Sequence, residues 1–193
     1  GRIELIGYKN AHAENVMLWC DIHSKTVRVT ANITGGKSGK AVISAESFNS
    51  EKSHTPEVQS FEYTDGKLDA LYKMGNDCLL WSEHEPNLYK LRIDIDGDVS
   101  EHIIGMREFN TEGGKFTING EKTFLRGKHD GMIFPKTAFA PTDLEEWLRV
   151  MKISKSYGMN HYRYHTCCPP ESAFIAADML GIYMEPQLPF WGT

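Results

Sequence analysis

The sequence predicts a mostly β chain that turns to parallel α/β organisation in its second half: an antiparallel sandwich, then the opening of a wound sheet or barrel. Three observations lead there. Before residue 108, several short segments alternate apolar and polar residues at a spacing of two, as strands with one buried face do. Gly- and Asx-rich turns punctuate these segments. After Gly113-Gly114 the order becomes helix, strand, helix, strand, the signature of parallel α/β units.

Val27, Val29, Ala31 and Ile33, interleaved with Arg28, Thr30 and Asn32, define the clearest strand, and Ala41, Ile43 and Ala45 repeat the pattern. Tyr89, Leu91, Ile93 and Ile95 form a third, and Asp96-Gly97 supplies the positive φ of a tight hairpin that returns Val99–Ile104 antiparallel to it. Turn chemistry also stands at Thr34-Gly35-Gly36, Asp65-Gly66 and Gly75-Asn76-Asp77. Short strands at this spacing with no helical period fit a sandwich of roughly a hundred residues, the size of an immunoglobulin-like domain.

Past Gly114, Lys115–Asn119 and Lys122–Leu125 predict a hairpin across Asn119-Gly120. Thr142-Asp143-Leu144-Glu145 reads as a capping box with Thr142 as the cap. The stripe Leu144, Trp147, Leu148 and Met151 then predicts a helix that Gly158 ends. A strand from about Asn160 to His165 follows. Pro169-Pro170 opens a second helix through Ala173, Phe174, Ala177 and Leu180, Gly181 stops it, and Ile182–Glu185 is the next strand. Residues 109–193 are about a third of the ~250 that an eight-fold barrel takes.

Composition excludes some functions. The chain has 193 residues and a net charge of −5, and its Lys and Arg residues form no long run, so it lacks the footprint of a nucleic-acid binder. Its longest apolar runs, such as Val16–Cys20, fall far short of the ~20 residues of a membrane span. Cys20, Cys78, Cys167 and Cys168 are too few for a disulfide scaffold. The nearest thing to a metal cluster is His161, His165, Cys167 and Cys168. Alternate side chains on an extended strand stand ~6–7 Å apart, too far for several to meet one tetrahedral ion. Asp94, Asp96 and Asp98 imitate a calcium loop, but Gly105 occupies the place of its closing Glu. No metal or other cofactor is expected.

Several segments resemble glycoside hydrolase family 2, which includes β-galactosidases, β-glucuronidases and β-mannosidases. They are Trp81–Tyr89 (WSEHEPNLY), Ile104–Phe109 (IGMREF), Phe116–Gly120 (FTING), Leu125-Arg126-Gly127, Met159–Arg163 (MNHYR) and Asp178–Tyr183 (DMLGIY). Their order and spacing match the junction between sandwich and barrel in that family, and its first barrel signature. The resemblance implies an immunoglobulin-like β-sandwich followed by an incomplete (β/α)8 barrel: residues 1–11 ending a preceding sugar-binding domain or linker, 12–108 the sandwich, and 109–193 the N-terminal part of the catalytic barrel. Two departures stand out. Arg163 is followed by Tyr164-His165-Thr166-Cys167-Cys168-Pro169, one residue longer before the Pro than the family pattern. Pro186-Gln187 also stands where the family carries an acidic pair.

The same resemblance implies a retaining exo-β-glycosidase, whose two carboxyl groups stand about 5–5.5 Å apart. The family places them on the fourth and seventh barrel strands, so none of these residues is expected to be catalytic and this polypeptide alone is expected to be inactive. Its contribution is expected to be substrate binding. Period two puts His161, Arg163 and His165 on one strand face, at the end where barrel sites collect. Arg163 and His165 are candidates for sugar hydroxyls, although Arg163 would serve equally to brace a barrel carboxylate. His129 and Asp130, expected in the first loop, are candidates or a satisfied turn, and Trp191 is a stacking platform or a core residue. Expected partners are a glycoside or oligosaccharide and the remaining domains of the enzyme. Self-association through open barrel edges is also expected, and a periplasmic or extracellular location is favoured over the cytoplasm. The alternative is a non-catalytic carbohydrate-binding or structural sandwich module.

Overall fold

The computed structural model describes residues 3–190. Residues 3–11 form no strand and lie largely exposed. Seven strands follow: β1 (His12–Asp21), β2 (Thr26–Thr34), β3 (Gly39–Phe48), β4 (Gln59–Tyr63), β5 (Lys67–Lys73), β6 (Leu88–Ile95) and β7 (Asp98–Ile104). They make two antiparallel sheets, ordered β1-β2-β5 and β4-β3-β6-β7.

The core lies between these sheets because each strand turns its apolar set inward. Val27, Val29, Ala31 and Ile33 of one sheet share a single buried cluster with Ala41, Ile43, Ala45, Leu91, Ile93 and Ile95 of the other. Fully burying each larger aliphatic side chain contributes about 1.5–3 kcal/mol. Asp96 and Gly97 both take positive φ in the β6–β7 hairpin, where Asp94 Oδ1 accepts a hydrogen bond from the Gly97 amide. This is turn geometry at a place that imitates a calcium loop in sequence. At the start of β6 the buried Tyr89 hydroxyl accepts a hydrogen bond from the Leu79 amide, 2.8 Å away. Such a tyrosine reaching back to upstream backbone is a recurrent corner of immunoglobulin-type sandwiches.

Beyond the sandwich, β8 (Phe109–Glu112), β9 (Lys115–Ile118) and β10 (Glu121–Lys122) form a small meander. It departs from the expected hairpin in two ways: β8 adds a strand before Gly113-Gly114, and the third strand stops at Lys122. Then come β11 (Gly127–Asp130), α1 (Leu144–Ser156), β12 (His161–Tyr164), α2 (Glu171–Leu180) and β13 (Tyr183–Glu185). The three strands pair in parallel in the order β11-β12-β13. Helix α1 starts one residue later than expected. Its cap is Asp143, whose carboxylate accepts a 2.9 Å hydrogen bond from the Glu146 amide, in place of Thr142. Trp147 and Met151 of α1 and Ala173, Ala176 and Ala177 of α2 bury Tyr162 and Tyr164, so the helices cover one face of the sheet.

The two parts are joined around the loop following Trp81. The Trp81 indole N–H donates to the Asp178 carbonyl at 2.8 Å, and its ring meets Tyr183 edge-on. The buried Glu83 carboxylate accepts hydrogen bonds from Asn160 Nδ2 and from Thr123 Oγ1, and stands 3.5 Å from Arg126. Lys155 Nζ donates to the carbonyls of Glu83 and Leu180. Gly181, at φ +68° after α2, brings its backbone so close that a Cβ there would lie 2.7 Å from the Glu83 carbonyl oxygen.

Candidate functional site

Parallel register and period two build the candidate site on the sheet face turned away from the helices. Gly127, His161 and Tyr183 stand side by side across β11, β12 and β13, and one level on come His129, Arg163 and Glu185. Gly127 is required there by contact, since a Cβ would come within 2.6 Å of His161 Nδ1. Every member of the upper row lies at or next to the C-terminal end of its strand, the end at which parallel α/β sheets gather their ligand sites.

Glu185 ties the face together. Its Oε2 is 3.3 Å from His161 Nε2 and its Oε1 is 3.5 Å from Arg163 Nε. His161 is buried, whereas the Arg163 and Glu185 side chains remain partly exposed on the open face. Burial pushes the His161 pKa down, and the Glu185 charge opposes that shift. His165, just past β12, anchors its amide on the Asp130 carbonyl at 2.9 Å and brings its ring to 5.0 Å from that of His129. The loops after β12 and β13 are joined by Gln187, whose side-chain oxygen accepts from the Thr166 amide and whose own amide donates to the Cys167 carbonyl. Gln187 thus serves as a loop brace.

Arg163, His165 and His129 stand near one another at this end of the face. His129 and Asp130, however, are strand residues of β11 and not loop residues. Asp130 takes no part in the face. Period two sends it with Lys128 to the other side, where its carboxylate is 2.9 Å from Lys128 Nζ and accepts from the Met132 amide. Trp191 lies outside the described residues. Sequence reasoning missed Glu185 as a partner of this face, although counting by two from Tyr183 points to it. Asn160, of the Met159–Arg163 segment, is nearly fully buried in the junction and makes no part of the open face. Among the described residues no group of three or more His, Cys, Asp or Glu side chains is arranged to hold a metal ion.

Known proteins share this architecture. The chain is 23% identical over 177 residues to a β-galactosidase of Leuconostoc mesenteroides, covering 85% of this chain and 17% of that protein. It is 29% identical over 107 residues to a β-galactosidase of Staphylococcus xylosus, covering 54% of this chain and 10% of that one. Among solved structures, a glycosyl hydrolase family 2 member from Bacteroides cellulosilyticus superposes with a TM-score of 0.73 at 19% identity, over 92% of this chain and 25% of that one. A Parabacteroides merdae β-glucuronidase with glycerol in its active site superposes with a TM-score of 0.69 at 18% identity, over 94% and 24%. The chain thus spans about a sixth or less of these curated relatives and about a quarter of these structures. The family model for glycosyl hydrolases family 2 matches residues 11–107, the whole sandwich from the strand before the first turn to the edge of the meander. On that match, which spans the sandwich and half of the sequence, this chain belongs to glycosyl hydrolases family 2.

Proposed function

We propose that this chain is the part of a retaining exo-β-glycosidase that comprises its immunoglobulin-like sandwich, residues 12–108, and the opening of its (β/α)8 barrel, residues 109–193. Residues 1–11 then lead in from a preceding domain. The observation that supports this most is the parallel sheet β11-β12-β13, backed by α1 and α2, whose uncovered face presents His129, Arg163 and His165 near the strand ends. Barrel strands point alternate residues into the interior, and sugar sites form at their C-terminal mouth. Arg163 and the two imidazoles would contact hydroxyls of the terminal β-linked sugar. Arg163 would also brace Glu185, so both readings of that residue hold at once.

In this reading the acid/base and nucleophile carboxylates come from later strands, and residues 1–193 bind and orient the sugar without cleaving it. Among the described residues β11 and β13 each pair with β12 alone, and their other edges are where the next strands would add. In their absence those edges favour self-association of the isolated chain. The test is the coding sequence beyond Thr193, expected to contain an Asn-Glu pair and a later Glu, followed by proton NMR of an aryl β-glycoside hydrolysed by the extended polypeptide. First appearance of the β-anomer supports the proposal. Absence of both glutamates, or first appearance of the α-anomer, overturns it.

A further inference from the structure

The charge balance of the open sheet face carries a further step. In the row of His129, Arg163 and Glu185, Arg163 is the permanently cationic side chain, and Glu185 already stands against it. Arg107, which lines the same cavity as His161, Tyr183 and Glu185, has its guanidinium over the Trp81 ring and is balanced by the nearby Asp178 carboxylate. Lys128 lies on the opposite face and is matched by Asp130. His161 is held toward its neutral form by burial. The face therefore offers no surplus positive charge. A sugar hydroxyl can donate to a carboxylate and accept from a guanidinium, so a side-by-side Arg–Glu pair suits a neutral hydroxylated ring. A uronic acid would bring a second carboxylate to the Arg163 guanidinium, beside the charge of Glu185, and like charges at such separations repel.

We propose that Glu185, paired with His161 and Arg163 across β12 and β13, is a specificity-determining residue that admits neutral hexosides and rejects uronides. This rests on the glycosidase reading above and goes beyond it by naming the sugar class and the residue that sets it. Glu185 acts partly through Arg163, which it holds in place along the strand row.

The experiment uses the full-length enzyme carrying this sequence, as wild type, Glu185→Gln and Glu185→Asp. Each is assayed with p-nitrophenyl β-glycosides of galactose, glucose, mannose and glucuronic acid. The readout is the ratio of kcat/KM for the best neutral substrate to that for the glucuronide within each variant, which cancels any loss of folded enzyme. Wild type is expected to favour the neutral sugar by at least roughly a hundredfold, and Glu185→Gln to lower that ratio at least roughly tenfold, chiefly through a lower KM for the glucuronide. Glu185→Asp, which keeps the charge, is expected to stay close to wild type. A wild type that prefers the glucuronide, or a Glu185→Gln ratio unchanged in an active enzyme, overturns the proposal while leaving the glycosidase reading intact. A wild type that turns over none of the four substrates overturns that reading, and this proposal with it.

Discussion

Replacing Asn160 with Ala should destabilise the chain more than any other single change at the junction. The Asn160 side chain is almost completely buried and makes three hydrogen bonds. Its Oδ1 accepts from the Arg126 amide at 2.7 Å, and its Nδ2 donates to the Phe124 carbonyl at 3.0 Å and to the Glu83 carboxylate. Truncation leaves two backbone groups and one buried carboxylate short of a partner. At about 1 kcal/mol for each neutral bond and about 2 for the charged one, the loss is about 4 kcal/mol. With a urea m-value of about 2 kcal/mol/M, the unfolding midpoint should fall by about 2 M. Asn160→Asp keeps the acceptor for Arg126 but sets a second carboxylate against Glu83. It should be nearly as damaging at pH 8 and milder at pH 5, where the two can share a proton. Urea unfolding followed by tryptophan fluorescence reads both variants. A midpoint shift below about 0.5 M for Asn160→Ala, at unchanged m, would refute the view that this residue ties the sandwich loop to the parallel sheet.

Three further predictions concern other parts of the molecule. Gly181→Ala combines a left-handed backbone with a clash against the Glu83 backbone, so it should lower the thermal midpoint by several degrees, while Ala at the exposed Gly114 should cost less; differential scanning calorimetry compares them. Burial holds the pKa values of His54, His102 and His161 below 6.5, so the folded state binds fewer protons than the unfolded one. Their contribution to stability is fully present above about pH 6.5 and is lost as pH falls through the lowered folded values; urea midpoints at pH 7.5 and 5.5 should decrease in that order, and His161→Asn should shrink the difference. Burial also raises the Cys20 thiol to about 11, whereas Cys168 is exposed, so Ellman's reagent at pH 8 should modify Cys168 in a fast phase that Cys168→Ser removes, with Cys20 following slowly.

The sandwich was legible where a strand has one wet and one dry face. In β2 and β6, the polar residues between Val27 and Ile33 and between Tyr89 and Ile95 expose the period directly, and in β3 Ser44 does so in part. β1 hides it, because Val16, Met17, Leu18, Trp19 and Cys20 are apolar in succession and the register shifts between Glu14 and Met17. The helix cap moved from Thr142 to Asp143 because both side chains are good caps and only the backbone decides which amide lies within reach. On the candidate site, the face shared by His161, Arg163 and His165 follows from alternation alone. Which neighbours share it depends on parallel register, a long-range property invisible along the chain. Register is what sets His129 and Glu185 beside Arg163, whereas Asp130 leaves the row by simple alternation once Gly127–Asp130 is strand and not loop. Several motif residues that carried the family resemblance proved architectural: Trp81, Asn160 and Gly181 hold the two parts together, while Gly127, His161, Arg163 and Tyr183 stand on the candidate face.

The most direct measurement is release of p-nitrophenol from p-nitrophenyl β-D-galactopyranoside and β-D-glucuronide by two proteins at equal concentration: residues 1–193 alone, and the longer polypeptide proposed above. If this chain binds and orients the sugar while the catalytic carboxylates lie beyond it, the short protein releases nothing above the buffer rate. The extended one turns over at least one of the two substrates and loses most of that turnover on Arg163→Met. Turnover by residues 1–193 at a rate comparable to the extended polypeptide would contradict it.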